Sequence, residues 1–295
     1  MIVLLVTTTD VTARKFGIEK SIEMIAGAGF DGLDYSAFDM KNDPNDPLNQ
    51  PDYIDYARGL RAKAEQCGIR FVQAHAPFPS SFECCDDTAK MKQKIIRSME
   101  ACAVMGVGII VVHPIQHLNY MTNVEKLFDM NMEFYNELVV HAEKFGIRVA
   151  TENMFQYDEH RRVMRDSTCA SPQEFCKYID TVGSHYLTGC LDIGHCGLCG
   201  REPQDVLRYM GAGRVGCLHI HDNDYMNDKH TLPCTSSLNW DEICKALAEM
   251  GYKGNFTYEA DYFLRKYDDE FIPTALKFMH DTGRYLINKI ESYKV

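Results

Sequence analysis

Short apolar runs recur along the chain, each followed by a polar loop and then by an amphipathic segment that ends near a glycine. The runs cover residues 2–7, 32–35, 69–74, 107–112, 147–151, 187–191, 215–220 and 255–258. Several are continuously apolar rather than alternating, which is typical of parallel strands that are buried on both faces. The pattern therefore predicts eight parallel strands.

The segments between these runs have the spacing of helices. Apolar residues recur every three or four positions in 54–64, 95–105 and 134–145, which places them on one face of a helix. A glycine followed by an apolar residue closes several segments, at Gly29, Gly68, Gly106, Gly146 and Gly251. This is a helix C-cap followed by the start of a strand. The repeated unit predicts an α/β fold, a (β/α)8 TIM barrel formed by one domain over residues 1–295.

An open, doubly wound sheet is the structural alternative. It would normally have a glycine-rich phosphate turn after its first strand, and residues 5–10 contain no glycine. The barrel is therefore the favoured fold.

Composition narrows the class of protein. The net charge of −11 disfavours nucleic acid as a partner, because binding phosphates needs a positively charged surface. No apolar run approaches the roughly 20 residues that span a bilayer, and the first run reads as a strand rather than a signal peptide. The twelve cysteines are scattered, mostly among apolar neighbours, as reduced thiols are. We expect a cytoplasmic protein that does not contact a membrane.

Ionisable side chains stand at the ends of six consecutive predicted strands. In chain order they are His75, His113, Glu152, Asp192, His219 and Glu259, with His195, His221, Asp228 and His230 close by in sequence. The active site of a TIM barrel is built at the C-terminal ends of its strands. A ring of such groups is costly to desolvate unless something neutralises it, and a divalent cation does so. Oxygen ligands with an imidazole suit Mn, Mg, Co or Zn.

Two histidines compete for the metal on the seventh strand. His219 and His221 are two residues apart, so both side chains should point into the barrel. We prefer His219 as the metal ligand and expect His221 to contact the substrate or a metal ligand. The alternative assignment, with His221 as the metal ligand, stays open.

The chain resembles the xylose-isomerase-like TIM-barrel superfamily, which includes sugar and sugar-phosphate isomerases and epimerases and the apurinic endonuclease family. The matching motifs are Glu-Asn at 152–153, Leu-Asp-Ile-Gly-His at 191–195, His-Ile-His-Asp at 219–222 and Glu259. The resemblance implies one divalent metal, with manganese favoured, on Glu152, Asp192, His219 and Glu259. It also implies a carbohydrate substrate, contacted by His195, and is compatible with a homo-oligomer. We expect further substrate contacts from His75, His113, His221, Asp228 and His230.

The implied reaction moves a proton at the carbon beside a carbonyl, through an enediolate. Two carboxylates can act as base and acid, and Glu152 and Glu259 are the natural pair. If the two carboxylates act on opposite faces of one carbon, the reaction is an epimerisation. If the proton is transferred to the neighbouring carbon, the reaction is an isomerisation. A lyase that acts on keto-glycosides would use the same residues.

A metal-dependent apurinic-type endonuclease is the main competing hypothesis. In that family nine residues hold three metals, and this chain has counterparts for all nine: the six residues at the strand ends together with His195, Asp228 and His230. Its loops differ, however. His75 is followed by Ala-Pro-Phe-Pro, and a bulky segment after Asn153 suits a small ligand. A barrel that binds a sugar or metal without catalysis is a third hypothesis, and the presence of both glutamates disfavours it.

Two features of the loops at the C-terminal end of the predicted barrel have roles that depend on the fold. The segment 231–240, which ends at Trp240, lacks the glycines that family members often have there, so the roles of Asp228 and His230 depend on the geometry of this loop. Aromatic residues in the predicted mouth loops, Phe38, Phe78, Phe155 and Tyr157, could stack on a sugar ring or anchor their loops.

Overall fold

Eight parallel strands form the centre of the protein in the computed structural model, which describes residues 4–294. They are β1 (Val6–Thr9), β2 (Gly32–Ser36), β3 (Phe71–His75), β4 (Ile109–Val111), β5 (Arg148–Glu152), β8 (Leu187–Asp192), β9 (Val215–His219) and β10 (Phe256–Tyr258). Two further strands, β6 (Phe155–Asp158) and β7 (Val163–Asp166), form a separate antiparallel hairpin.

The sheet closes on itself. Its hydrogen-bonded order is β10-β1-β2-β3-β4-β5-β8-β9. The two ends meet where the amide of Ile220 donates to the carbonyl of Thr257 at 2.9 Å and the amide of Glu259 donates to the carbonyl of Ile220 at 3.1 Å. The predicted (β/α)8 barrel is confirmed.

Helices surround the barrel. They are α1 (Ala13–Phe16), α2 (Ile18–Ala28), α3 (Tyr53–Gln66), α4 (Cys85–Met105), α5 (Tyr120–Phe145), α6 (Pro172–Val182), α7 (Ile193–Leu198), α8 (Pro203–Met210), α9 (Trp240–Glu249), α10 (Asp261–Leu264) and α11 (Ile272–Tyr293). The five glycines expected to end helices all have positive φ angles, between 66° and 97°. This left-handed backbone is the reason that glycine recurs at these stops.

The predicted strand positions overlap the observed strands in all eight cases. The first is displaced toward the C-terminus, since β1 begins at Val6, and residues 2 and 3 of that prediction lie outside the described residues. Four strands end on predicted site residues, because β3, β5, β8 and β9 finish at His75, Glu152, Asp192 and His219.

The barrel interior is apolar on one side and polar on the other. Strands β4, β5, β8 and β9 contribute a buried cluster of Ile109, Val111, Ala150, Cys190 and Cys217. Opposite it, the hydroxyls of Thr7 and Thr257 lie 2.7 Å apart, and Thr257 donates to Gln73 at 3.1 Å. Gln73 in turn donates to Asp34 at 2.7 Å. This polar network reaches the C-terminal end of the barrel, where Asp34 Oδ2 lies 3.4 Å from His219 Nε2.

The segment after β5 differs from the prediction. It was expected to be a bulky loop, and it is instead the hairpin β6–β7. Outside the barrel, no helix among residues 4–294 is long and apolar enough to cross a membrane.

Candidate metal centre

Four predicted ligands converge at the C-terminal mouth of the barrel. Glu152, Asp192 and His219 are the last residues of their strands, and Glu259 directly follows β10. One ligand atom from each of the four lies within 4.8 Å of those of the others. The ends of adjacent strands therefore bring together residues that are up to 107 positions apart in sequence. Their ligand atoms are close enough to hold one metal ion.

The orientation of His219 determines which of its nitrogens faces the predicted ligands. Its Nδ1 lies 2.8 Å from Glu152 Oε1 and 3.3 Å from Glu259 Oε2. Its Nε2 lies on the opposite side of the ring, 3.4 Å from Asp34 Oδ2. Nδ1 therefore faces the carboxylates, and Nε2 faces a carboxylate that the sequence analysis did not identify.

Asp34 and Gln73 are the residues behind His219. Both are fully buried, and Gln73 holds Asp34 Oδ2 through a 2.7 Å hydrogen bond. A carboxylate that contacts the distal nitrogen of a metal-ligating histidine fixes the ring and raises its basicity. The only signal for Asp34 in the sequence was a charged residue inside an apolar run.

Asn153 positions Asp192 and His195, which explains the Glu-Asn motif. Its side chain accepts a hydrogen bond from the amide of Asp192 at 2.8 Å and donates to the carbonyl of the same residue at 3.0 Å. Its own carbonyl lies 2.8 Å from His195 Nδ1. Asp192 Oδ1 also accepts from the amide of His195, so this carboxylate caps α7.

His75 and His113 form a second group with Glu152. Their Nε2 atoms lie 3.0 Å apart, and His113 Nε2 lies 2.9 Å from Glu152 Oε2. Ligand atoms of the three residues also lie within 4.8 Å of one another. Burial lowers the pKa of His113 to about 4, so this imidazole is neutral at physiological pH.

A third group contains His195, His221, Asp228 and His230, whose ligand atoms lie within the same distance of one another. The rings of His221 and His230 stack with centroids 4.2 Å apart, and His230 Nε2 lies 3.0 Å from Asp228 Oδ2. His221 Nε2 lies 3.1 Å from Asp192 Oδ1. The two histidines of β9 and its extension thus point inward, and His219 joins the four-residue group whereas His221 joins this third group.

The loop that carries Asp228 and His230 is held by Asp222. This buried carboxylate accepts hydrogen bonds from the amides of Ser236 and Leu238 and from Trp240 Nε1, all at 3.0 Å. The three donors to Asp222 fix the course of the loop, and its backbone is left-handed at Tyr225, His230 and Cys234 although none of these is a glycine. The sequence motif at 219–222 contains Asp222 without indicating this role, and Trp240 is the donor that could have revealed it.

Three of the four aromatic residues expected at the mouth contact site histidines. The ring centroid of Phe38 lies 4.8 Å from His75, that of Phe78 4.9 Å from His113, and that of Phe155 4.9 Å from His195. The fourth, Tyr157, is 47% exposed on the hairpin. The three phenylalanines form an apolar rim around the ionisable groups.

The charge of the site is unbalanced. Its carboxylates are Asp34, Glu152, Asp192, Asp228 and Glu259. Among the described residues their ion-pair partners are histidines, with no lysine or arginine. Burial alone would lower the pKa of His219, but Glu259 and Glu152 raise it well above its ordinary value. The site therefore favours positive charge strongly.

These residues fit a divalent cation. Asp192 Oδ2 is buried and has no hydrogen-bond partner among the described residues, although such atoms are normally paired. It belongs to a group of three carboxylates and one imidazole, a donor set that suits Mn, Mg, Co or Zn. A cation would also offset the excess negative charge.

A family model described as xylose isomerase-like TIM barrel matches residues 22–281. The chain belongs to this family. An uncharacterized protein of Methanocaldococcus jannaschii is 28% identical over 217 residues, which are 71% of this chain and 69% of that protein. An uncharacterized protein of Sinorhizobium fredii is 25% identical over 137 residues, 46% of this chain and 41% of that protein.

Solved structures of similar fold include sugar epimerases. A D-tagatose 3-epimerase-like protein has a TM-score of 0.75 at 21% identity, covering 97% of this chain and 98% of its own. The 3-keto-D-glucoside 4-epimerase of E. coli has a TM-score of 0.73 at 17% identity, covering 94% and 99%. The IolI protein, solved with a zinc atom, has a TM-score of 0.73 at 16% identity, covering 98% and 99%. At these identities the likeness shows the fold of this xylose isomerase-like barrel.

Proposed function

We propose that this barrel is a divalent-metal-dependent isomerase or epimerase that acts on a sugar or sugar phosphate. The observation that carries the proposal is the convergence of Glu152, Asp192, His219 and Glu259, with both glutamates next to His219 Nδ1. Two carboxylates beside a cation site are the groups needed to remove and return a proton next to a carbonyl. The solved structures of similar fold include sugar epimerases, which supports a sugar as the substrate.

The proposed roles follow from position. Glu152 and Glu259 take a proton from the carbon beside the substrate carbonyl and return it, and Asp192 and His219 complete the cation site with them. A bound divalent cation, for which we favour manganese, would supply Lewis-acid stabilisation of negative charge on the substrate oxygens. The surrounding ring of His75, His113, His195, His221, Asp228 and His230 contacts substrate hydroxyls and fixes which carbon faces the glutamates.

A metal-dependent apurinic-type endonuclease is the second candidate. It is favoured by the two additional groups of metal-ligand size, one around His113 and one around His230. Against it stands the charge of the protein, which is −11, because a DNA backbone is attracted by positive surfaces. We therefore rank proton transfer on a sugar above phosphodiester cleavage.

The experiment that tests this choice is a screen for solvent deuterium uptake. Free and phosphorylated ketoses are incubated in deuterated water with the Mn²⁺-loaded protein, and the carbon beside the carbonyl is followed by NMR. We expect uptake that a chelator abolishes and that added Mn²⁺ restores. Release of an aglycone from a keto-glycoside would instead identify the lyase variant of the reaction. Cleavage of an abasic duplex without uptake in any sugar would replace the proposal by the endonuclease.

A further inference from the structure

A cavity of about 390 Å³ opens from the metal centre toward the loops that follow β1 and β2. Glu259 and His230 line it, so it is continuous with the proposed catalytic site. Its volume falls in the range of roughly 300–1,000 Å³ that holds small-molecule ligands. None of the residues on its far wall was identified from the sequence as a binding residue except Phe38 and Phe78.

The walls of this cavity combine carboxyl groups with aromatic faces. The carboxyl groups belong to Asp10, Asp39, Asp43, Asp46 and Asp261, and the aromatic rings to Tyr35, Phe38, Tyr56, Phe78 and Tyr262. Two guanidinium groups, of Arg14 and Arg265, also line it, but both side chains are exposed. That of Arg265 lies over the ring of Tyr262, 3.6 Å from its centroid. Asp39 and Asp43 are exposed like the two arginines, so the inner wall is acidic through Asp10, Asp46 and Asp261.

Asp10 is the most buried of these carboxyl groups, with 8% of its surface exposed. Its Oδ2 accepts a hydrogen bond from the amide of Ser36 at 3.2 Å, and its carboxyl group lines the cavity, where a ligand can reach it. Beside it, Asp261 is held in place by the hydroxyl of Thr9 at 2.8 Å.

Resting on the proposed function, we propose that this cavity binds the part of the substrate remote from the reacting carbons. We further propose that this part is an uncharged, polyhydroxylated chain or ring rather than a phosphate ester, with a substrate hydroxyl donating to Asp10. Hydroxyl groups donate to carboxylates, and the apolar faces of a sugar pack on aromatic rings. A phosphate dianion offers chiefly acceptors and would meet like charge on the inner wall.

The test measures binding separately from turnover. The full chain is loaded with Mn²⁺ at pH 8, where the Asp10 carboxyl is ionised, and dissociation constants are measured by titration calorimetry for free 2-ketohexoses and for their 6-phosphates. We expect the best free ketohexose to bind at least tenfold more tightly than its 6-phosphate. We expect Asp10→Asn to weaken binding of that free sugar by roughly tenfold, as loss of a hydrogen bond to a charged group does. The matched control is Asp55→Asn, an exposed carboxylate of α3, which should leave binding unchanged.

Each outcome decides one of the two proposals. Equal or tighter binding of the 6-phosphates, unchanged binding by Asp10→Asn, or no binding of either class would overturn this inference. Deuterium uptake measured in the same samples reports on the reaction. Free sugars that bind through Asp10 but exchange no deuterium would support the cavity assignment and contradict the proposed function.

Discussion

Asp34 lies behind the imidazole of His219, with its Oδ2 3.4 Å from Nε2, while Nδ1 faces the two glutamates. This arrangement gives the histidine one side for a metal and another side for a carboxylate. Because such a partner fixes the ring of a metal ligand, we assign Asp34 a positioning role in the proposed metal site, behind His219.

Replacing Asp34 tests this role. We expect Asp34→Asn to weaken Mn²⁺ binding by roughly 10- to 100-fold, because removing such a partner typically costs that much affinity. Equilibrium binding followed by the electron paramagnetic resonance signal of free Mn²⁺ measures it, together with the thermal unfolding of the metal-free protein. Asp205→Asn, an exposed carboxylate on α8, is the control. An affinity equal to that of the wild type would remove Asp34 from the centre.

Asp10 should also affect stability, in a direction set by its burial. Burial raises its pKa from 3.8 to about 7. The folded protein therefore holds this proton more tightly than the unfolded chain, and stability decreases as the pH rises between about 4 and 7. Asp10→Asn removes this loss. We expect its gain in unfolding free energy over the wild type to be larger at pH 8 than at pH 5, by about 2 to 3 kcal/mol. Denaturant unfolding at the two pH values measures the difference, and a gain independent of pH would contradict it.

At the scale of elements, the turn from β8 into α7 controls the third group of ligands. Gly194 lies in the first turn of α7, and a Cβ there would overlap the imidazole of His221. The glycine is needed for this close approach between helix and strand, and its backbone is not in the left-handed region.

Two glycine substitutions distinguish the effect of this contact on stability from the effect of helix propensity. We expect Gly194→Ala to destabilise the protein by about 1–3 kcal/mol, because His221 must move in a packed site. Gly59→Ala lies inside α3 with no atom within 4 Å of the added carbon, and should stabilise by about 0.5–1 kcal/mol. Denaturant unfolding of both variants checks the pair. Equal effects of the two substitutions would show that His221 is not constrained by α7.

The elements were predictable to different degrees. The barrel strands were visible because strands buried on both faces are continuously apolar, and the helix ends because glycine adopts positive φ at Gly29, Gly106 and Gly146. The hairpin β6–β7 was missed. Its strands have four residues each and are only partly buried, and its turn carries Arg162 at φ 56° rather than a glycine. Neither the spacing of apolar residues nor the composition of the turn indicated a hairpin in this segment.

At the scale of the whole molecule, barrel closure determines which residues meet. Knowing the strand order was enough to place Glu152, Asp192, His219 and Glu259 at one mouth, because the C-terminal ends of parallel strands lie together. Asp34 and Asp10 could not be assigned in that way. Their contacts depend on side-chain direction and on the register between strands, which the sequence pattern does not specify.

The proposed reaction depends on two glutamates that act in one site. The measurement that tests it most directly is the rate of solvent deuterium uptake at the carbon beside the carbonyl of the best ketose. It compares the Mn²⁺-loaded wild type with Glu152→Gln and Glu259→Gln. Because each glutamine keeps an oxygen ligand but cannot accept the proton, we predict folded variants whose uptake is at least about 100-fold slower. Uptake at the wild-type rate in either folded variant would contradict proton transfer by this pair.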